Sequence, residues 1–348
     1  MDFEFDERLA YAATLPARFY FGAETLAAER ECVFAASWQL VGRSDQLPAS
    51  GSYFTTEIVG EPLLIVRDQA NEIRGFYNVC RHRAGRVAES AGCRSMFRCT
   101  YHGWSYALDG RLLGVPEFDG VQNFDKADFG LKPIRTAVWE QFIFVNLSNE
   151  AEDLPAFFGN IQTKTQRFNI SQMKLAERRE YVIACNWKVY VDNYLEGYHV
   201  PVAHPSLMRE LNYANYRTIT HRYHSLQDAP LKQDARVYPA DNAEALYYWV
   251  FPNLMLNVYP DNLSTNLIVP LDDERTLTIF EWYFHEADPA RVAQTIKFSD
   301  EIQQEDIYLC ENVQRGLRSR SYDRGRYSAR RENGVHHFHS LWREFMTA

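Results

Sequence analysis

The sequence has little that would take it to a membrane or to nucleic acid. No stretch of its 348 residues approaches the run of about 20 apolar residues that a bilayer-spanning helix needs. The opening Met-Asp-Phe-Glu-Phe-Asp-Glu is acidic and leads into no apolar run, so no secretory leader is expected. Positive charge is in deficit: 37 Lys and Arg against 46 Asp and Glu leave a formal net charge of −9, which argues against nucleic acid as the main partner. Cysteine is too scattered for a disulfide framework, with six residues at 32, 80, 93, 99, 185 and 310, of which only Cys80, Cys93 and Cys99 cluster. Internal repeats and low-complexity segments are missing too. These absences predict a free cytoplasmic globular protein. Hydrophobic residues at 46% suffice for a sizeable core, and the 14% of aromatics is high.

The pattern along the chain predicts an α+β protein. Residues 1–37 read as a segment, helical in its second half with Thr25 as N-cap, that packs on the larger downstream domain over 151–348. From Trp38 short β-rich runs alternate with turns, at 52–58, 62–67, 73–79 and 138–145 among others. They predict a small all-β domain over 38–150. After the acidic linker 149–155, residues 151–348 read as a larger domain, an antiparallel sheet flanked by helices. Its strands are expected near 247–251, 254–259, 264–270 and 275–284, with a long helix over 289–318.

Two constellations carry chemistry. In the β-rich domain stand Cys80-Arg-His82 and Cys99-Thr-Tyr-His102-Gly-Trp, each placing a thiolate and an imidazole at a loop tip. A structural zinc would accept two sulfurs and two nitrogens, although zinc fingers pair cysteine with cysteine and histidine with histidine. Mixed pairs suit a [2Fe–2S] centre in which two cysteines hold one iron and two histidines the other, the Rieske arrangement. Cys93 falls outside the pattern and reads as a small buried residue.

The second constellation lies downstream. Asn186 to His204 reads as a helix starting near Trp187 and stopped by Pro201, with Glu196 and His199 on one face and His204 just beyond. In the long helix Asp306 fills a gap in the apolar stripe Ile302, Leu309, Val313 and Leu317. A carboxylate on a buried face is costly unless it is paired or metal-bound. An arginine partner is one solution. The other is a 2-His-1-carboxylate site with His199 and His204, which leaves positions open on Fe(II). Glu301 and Glu305 fall off the stripe and read as solvated. Glu196 is either a fourth ligand or the acceptor of a ring proton from His199.

With both constellations in place, the chain resembles the catalytic α subunit of Rieske non-haem iron oxygenases, from about Trp38 to Arg318. The resemblance implies that Cys80, His82, Cys99 and His102 hold the cluster and that His199, His204 and Asp306 hold the iron. It also implies dioxygen as co-substrate and electrons from NAD(P)H through a separate flavin and iron–sulfur reductase. In this family the two centres of one subunit are too far apart for efficient transfer, which implies a head-to-tail homotrimer. Glu196, where most of the family has Asp, would then bridge His199 to His102 of the partner subunit.

The runs His82-Arg-Ala-Gly, Asn186 to His199, Phe251 to Asn257 and Gln303 to Arg318 are similar to the choline, glycine betaine and carnitine monooxygenase group. That group hydroxylates or N-demethylates quaternary ammonium compounds; aromatic-ring dihydroxylation is the runner-up. Aromatic faces bind such cations, and Tyr194, Trp249, Phe251, Tyr259, Phe280 and Trp282 are candidates, ordinary core packing being the alternative for each. His336, His337 and His339 read as a surface or interface segment. Arg81 and Arg83 flank the cluster loop, either to dock an acidic redox partner or as solvated charge.

Overall fold

In the small unit, the strand Glu61–Arg67 shows how the sequence builds two cores at once. Leu63 and Ile65 pack into one apolar cluster, and Leu64 and Val66 into another. Successive side chains of a strand point to opposite faces, so four consecutive apolar residues need cover on both sides. The computed structural model of the chain describes residues 3–235, 237, 244–286 and 288–347. It divides into two compact units, Phe34–Leu154 and, together, Met1–Val33 with Pro155–Ala348.

The small unit holds a seven-stranded antiparallel sheet. Its order is Gln39–Arg43, Phe142–Asn146, Pro133–Trp139, Ile73–Tyr77, Glu61–Arg67, Ser52–Ile58 and Ala91–Cys93. A three-stranded sheet of Phe97–Arg98, Ser105–Tyr106 and Leu112–Gly114 accompanies it. The core on the Leu64 and Val66 side also contains Cys80, Cys99, Trp104 and Tyr106, so the cysteine loops are anchored by the same packing that folds the domain.

The larger unit carries another seven-stranded antiparallel sheet. It runs from Lys174–Ile183 at one edge through Thr276–Phe284, Asn262–Pro270, Leu254–Val258, Glu244–Val250 and His224–Pro230 to Arg217–Thr220. The first strand alternates exposed and half-buried residues and carries Glu177, Arg178, Arg179 and Glu180, a charged edge that resists pairing with another chain. Helices Trp187–Tyr194, Pro289–Leu317 and Asn333–Thr347 pack around this sheet.

Two expectations need correction here. His336, His337 and His339 are not a surface segment: they lie on the helix Asn333–Thr347, whose apolar face closes one end of the sheet. His339 is buried and hydrogen-bonded to Tyr327 and Asp192. Cys93 is not buried but exposed, because the short strand Ala91–Cys93 is the sheet's edge.

Candidate metal centres and the cavity beside them

The two cysteine loops have matching backbone closures. Cys80 N–H donates to Gly85 O at 2.7 Å and Cys99 N–H to Trp104 O at 2.8 Å. Ala84 N–H returns to Cys80 O at 3.0 Å and Gly103 N–H to Cys99 O at 3.1 Å. Gly103 takes a left-handed φ of 75°, the conformation glycine adopts without penalty. The His82 and His102 rings stand with centroids 4.6 Å apart, and His82 stacks on Trp104 at 4.9 Å. The structure thus brings both imidazoles and the buried sulfurs of Cys80 and Cys99 to adjoining loop tips.

The chemistry of this donor set fits a metal cluster. His82 Nδ1 is buried with no hydrogen-bond partner, a costly state for a polar atom unless something else binds it. Burial, then the neighbouring His102 and Arg83, hold His82 below its ordinary pKa, favouring the neutral ring that ligates metals. Burial pushes the Cys80 thiol up, so a thiolate there requires a cation beside it. The Tyr106 hydroxyl sits 3.2 Å from Cys80 Sγ and accepts from Arg81 N–H at 2.9 Å. At Gly85 a Cβ would lie 3.1 Å from Cys99 Sγ, leaving the sulfur no slack.

The second centre forms around a break in the chain. The helix opens on Asn186, whose side chain accepts from Lys188 N–H at 3.0 Å, and ends at Tyr194, before the Pro201 that was expected to stop it. Gly197 and Glu196 account for the early end. A Cβ on Gly197 would approach the Tyr216 ring to 2.7 Å, and the Glu196 carboxylate accepts the Tyr198 and His199 amides. The Glu196 side chain thus competes with continued helix for those donors. His199 then caps the single turn Val200–Ala203, in which Pro201 occupies a permitted early position, and His204 follows.

His199, His204 and Asp306 present ligand atoms that all lie within 4.8 Å of one another, the only such group among the described residues. Asp306 stands 3.0 Å from His204 Nε2 and 3.8 Å from His199 Nε2, and accepts from the Asn193 amide at 2.7 Å. No arginine pairs with Asp306 among the described residues. The stripe that leads to it differs from the expected one: the buried residues are Gln303, Cys310, Gln314 and Leu317, whereas Val313 is exposed. Asp306 lies on that row all the same, three residues after Gln303 and four before Cys310.

Each histidine has its own carboxylate. His199 Nδ1 meets Glu196 Oε1 at 2.5 Å, and His204 Nδ1 meets Glu305 Oε2 at 2.6 Å. A proton held on each Nδ1 leaves Nε2 free for a metal. Burial lowers the His204 imidazole, but hydrogen bonds and charge from Asp306 and Glu305 outweigh it and raise the ring overall. Glu305 is therefore not the solvated residue that the sequence predicts. The signal that could have found it is its adjacency to Asp306.

Beside this group opens a cavity of about 870 Å³, mouth included. Of the six aromatic candidates, Tyr194, Tyr259, Phe280 and Trp282 line it, and Tyr216 and Tyr247, which the sequence reading missed, join them. Trp249 and Phe251 do not. Trp249 shares a strand face with Tyr247 and Phe251 follows the strand's end, where the helix Asn333–Thr347 covers both: Trp249 packs on Phe338 and Phe251 on Phe345. The cavity's tyrosine hydroxyls are engaged with protein groups. Tyr194 donates to Asn257 at 2.8 Å, Tyr259 to Tyr247 at 3.0 Å and Tyr216 to Gln227 at 2.5 Å.

Residues 170–348 match the family described as ring hydroxylating alpha subunit (catalytic domain), and residues 37–125 match the Rieske [2Fe-2S] domain. The chain belongs to the Rieske ring-hydroxylating oxygenase α subunits. It is 37% identical to the chloroplastic choline monooxygenase of Arabidopsis thaliana over 97% of its own length and 84% of that protein. It is 33% identical to the carnitine monooxygenase oxygenase subunit of Escherichia coli K12, over 95% and 93%. A solved quaternary ammonium Rieske monooxygenase superposes with a TM-score of 0.86 at 29% identity, covering 98% of both chains. As a Rieske oxygenase α subunit, the chain belongs to proteins that carry a [2Fe–2S] cluster and a mononuclear iron and use dioxygen. Membership favours an iron–sulfur cluster over a structural zinc as the cofactor of the small unit. No helix among the described residues is long and apolar enough to cross a membrane.

Proposed function

We propose that this chain is the oxygenase component of a system that hydroxylates or N-demethylates a small quaternary ammonium compound of the choline, betaine or carnitine kind. The observation that carries the reading is the aromatic cavity opening on His199, His204 and Asp306. A quaternary ammonium donates no hydrogen bond, so aromatic faces are its natural partners, each worth about 0.5–2 kcal/mol. The cavity's tyrosine hydroxyls are occupied elsewhere, which leaves their rings to serve the cation. Glu196 also lines the cavity and adds attraction for positive charge.

In this reading Cys80, His82, Cys99 and His102 hold the cluster, and His199, His204 and Asp306 hold the iron. When bound, the cluster supplies single electrons and the ferrous site supplies dioxygen activation at its open positions. Glu196 and Glu305 hold protons at His199 Nδ1 and His204 Nδ1 and so fix both rings. Asn193 orients the Asp306 carboxylate. The cavity presents a carbon of the substrate to the three-ligand face: an N-methyl carbon leads to loss of formaldehyde, a neighbouring carbon to a stable hydroxyl.

The electrons come from NAD(P)H through a separate flavin and iron–sulfur reductase, and the assembly is a cytoplasmic head-to-tail homotrimer. In it Glu196, 12% exposed at its side chain, links His199 to His102 of the partner subunit. The exposure of His102 is compatible with that role. The test is turnover with choline, betaines, carnitine and simple arenes under a generic reductase, following NADH and formaldehyde, with light scattering for the assembly. No stimulation by any quaternary amine, together with a cis-diol from an arene, would transfer the reading to aromatic substrates.

A further inference from the structure

One stretch of this acidic chain reverses its charge. Residues 315–331 contain seven arginines and one acid, Asp323, a surplus of six positive charges where the whole chain carries −9. The stretch begins in the last turn of the helix Pro289–Leu317 and runs almost to the helix Asn333–Thr347. Residues 318–332 between the two helices form no helix or strand, apart from one bridge from Arg326 to Ala13. A loop of that length inside a compact unit is uncommon unless it has a function. Its backbone is held all the same. Ala17 N–H donates to Asp323 O at 2.7 Å, Thr14 N–H to Gly325 O at 3.1 Å, and Gly325 N–H to Thr14 Oγ1 at 2.8 Å. The guanidinium groups therefore stand on a fixed frame and not on a solvated tail.

Little within the chain neutralises them. Six of the seven arginines, all but Arg331, are exposed. Among the described residues only Arg318 and Arg324 meet a carboxylate, those of Glu274 and Asp323. Arg326 and Arg331 donate to the backbone oxygens of Ala10 and Tyr216, at 2.9 Å and 3.2 Å. Tyr322 within the loop and Val313 on the helix before it are exposed as well, and both line a second cavity whose wall includes Glu196 and His199. Arginine beside tyrosine marks protein interfaces, from which lysine and glutamate are depleted. The cluster loops of another copy are themselves rich in arginine, with Arg81, Arg83, Arg86 and Arg98, so they are no complement to this surface. A carboxylate-rich protein is.

We propose that the arginine loop 315–331 is the docking surface for an acidic electron-donor protein, the partner that hands single electrons to the cluster. This rests on the oxygenase reading above, in which electrons arrive at Glu196 and His199, and the loop forms part of the rim of the cavity behind them. One electron leaves the donor's reduced iron–sulfur centre and the Rieske cluster gains it, with no bond made or broken. The step runs downhill from a plant-type ferredoxin at about −400 mV to a Rieske centre at about −150 to +300 mV.

The test follows electron transfer to the cluster by stopped-flow absorption, using the cluster-containing, iron-loaded protein and two reduced donors. One is a plant-type [2Fe–2S] ferredoxin, chosen for its acidic surface. The other is methyl viologen, a small cation that needs no docking surface. Arg320→Glu combined with Arg330→Glu should lower the second-order rate constant with ferredoxin about five- to twentyfold at about 0.01 M ionic strength. The gap should narrow at about 0.1 M, where the screening length falls from about 30 Å to about 10 Å. Arg320→Lys combined with Arg330→Lys keeps the charge and should stay within about twofold of the parent. Viologen rates and the mass by light scattering should be unchanged throughout. An undiminished ferredoxin rate in the charge-reversed variant overturns the docking surface. An equal loss with both donors overturns it too, since the fault then lies in the cluster or the fold. A change of mass would assign the loop to contacts between copies instead. If neither donor reduces the parent's cluster, the oxygenase reading falls and takes the docking surface with it, an outcome distinct from failure with ferredoxin alone.

Discussion

Glu196 and Glu305 show how two carboxylates set the orientation of two imidazoles. Each accepts the Nδ1 proton of one histidine, at 2.5 Å and 2.6 Å, and so leaves Nε2 of that ring facing Asp306. Their settings differ. Glu196 also takes two backbone amides, so its position survives loss of one contact, whereas the Glu305 side chain is 39% exposed. Glu196→Gln keeps the shape and removes the charge. It is expected to retain iron while turnover falls about 10–100-fold, measured by metal analysis beside NADH consumption. Loss of the mononuclear iron in that variant would assign Glu196 to the ligand set. Glu305→Ala removes the anchor of His204, and its iron affinity should fall by about 10–100-fold in chelator competition, with the visible absorption of the cluster unchanged.

The element that matters most is the turn between Tyr194 and Val200, whose shape depends on glycine at 197. A Cβ there would meet Tyr216 at 2.7 Å, and Tyr216 cannot retreat without giving up its bond to Gln227, which in turn donates to the Tyr194 carbonyl at 2.6 Å. Gly197→Ala should therefore destabilise the fold by about 1–3 kcal/mol in urea unfolding and lower iron occupancy, because the same turn carries Glu196 and His199. A variant as stable and as iron-rich as the parent would show that the turn has room to adjust. The strand Glu244–Val250 makes a contrasting case. Tyr247 at its middle meets the cavity, while Trp249, two residues on, is sealed under Phe338. Trp249→Ala should cost about 3–5 kcal/mol of stability, as expected for a buried core ring and not for a substrate-lining one.

At the scale of the whole molecule, acid sensitivity follows from histidines buried in neutral form away from the metal ligands. His224 is held down to about 3, chiefly by burial and then by His221 and His337, and His337 is held down to about 4, chiefly by burial. His224 Nε2 bonds Asn160 at 3.0 Å, while its Nδ1 is buried without a partner, so a second proton would sit uncompensated. Both rings have folded pKa values below the ordinary 6.5, so the unfolded chain takes up protons first as pH falls. The stabilisation is complete above pH 6.5 and is lost as pH drops toward 3–4. The urea midpoint should decline from pH 7 to pH 4, and a His224→Gln, His337→Gln double variant should decline less steeply. Equal slopes would place the acid-sensitive groups elsewhere.

The sequence by itself determined the candidate residues, because a metal restricts residue type and a loop or helix restricts spacing. Cys80-x-His82, Cys99-x-x-His102 and the pair His199 and His204 are each local, and Asp306 stands out as a charge in an apolar stripe, although the buried row of the helix is the neighbouring one through Gln303 and Cys310. The β-rich and α+β halves were legible for the same reason, since strand and helix periods are properties of short segments. What needed the tertiary structure depends on contacts across distant segments. The partnership of His204 with Glu305 spans 101 residues. The division of one strand face into cavity and core depends on where the helix Asn333–Thr347 lies, and strand periodicity carries no trace of it. Local pattern names the candidate residues, and packing between elements decides what surrounds them.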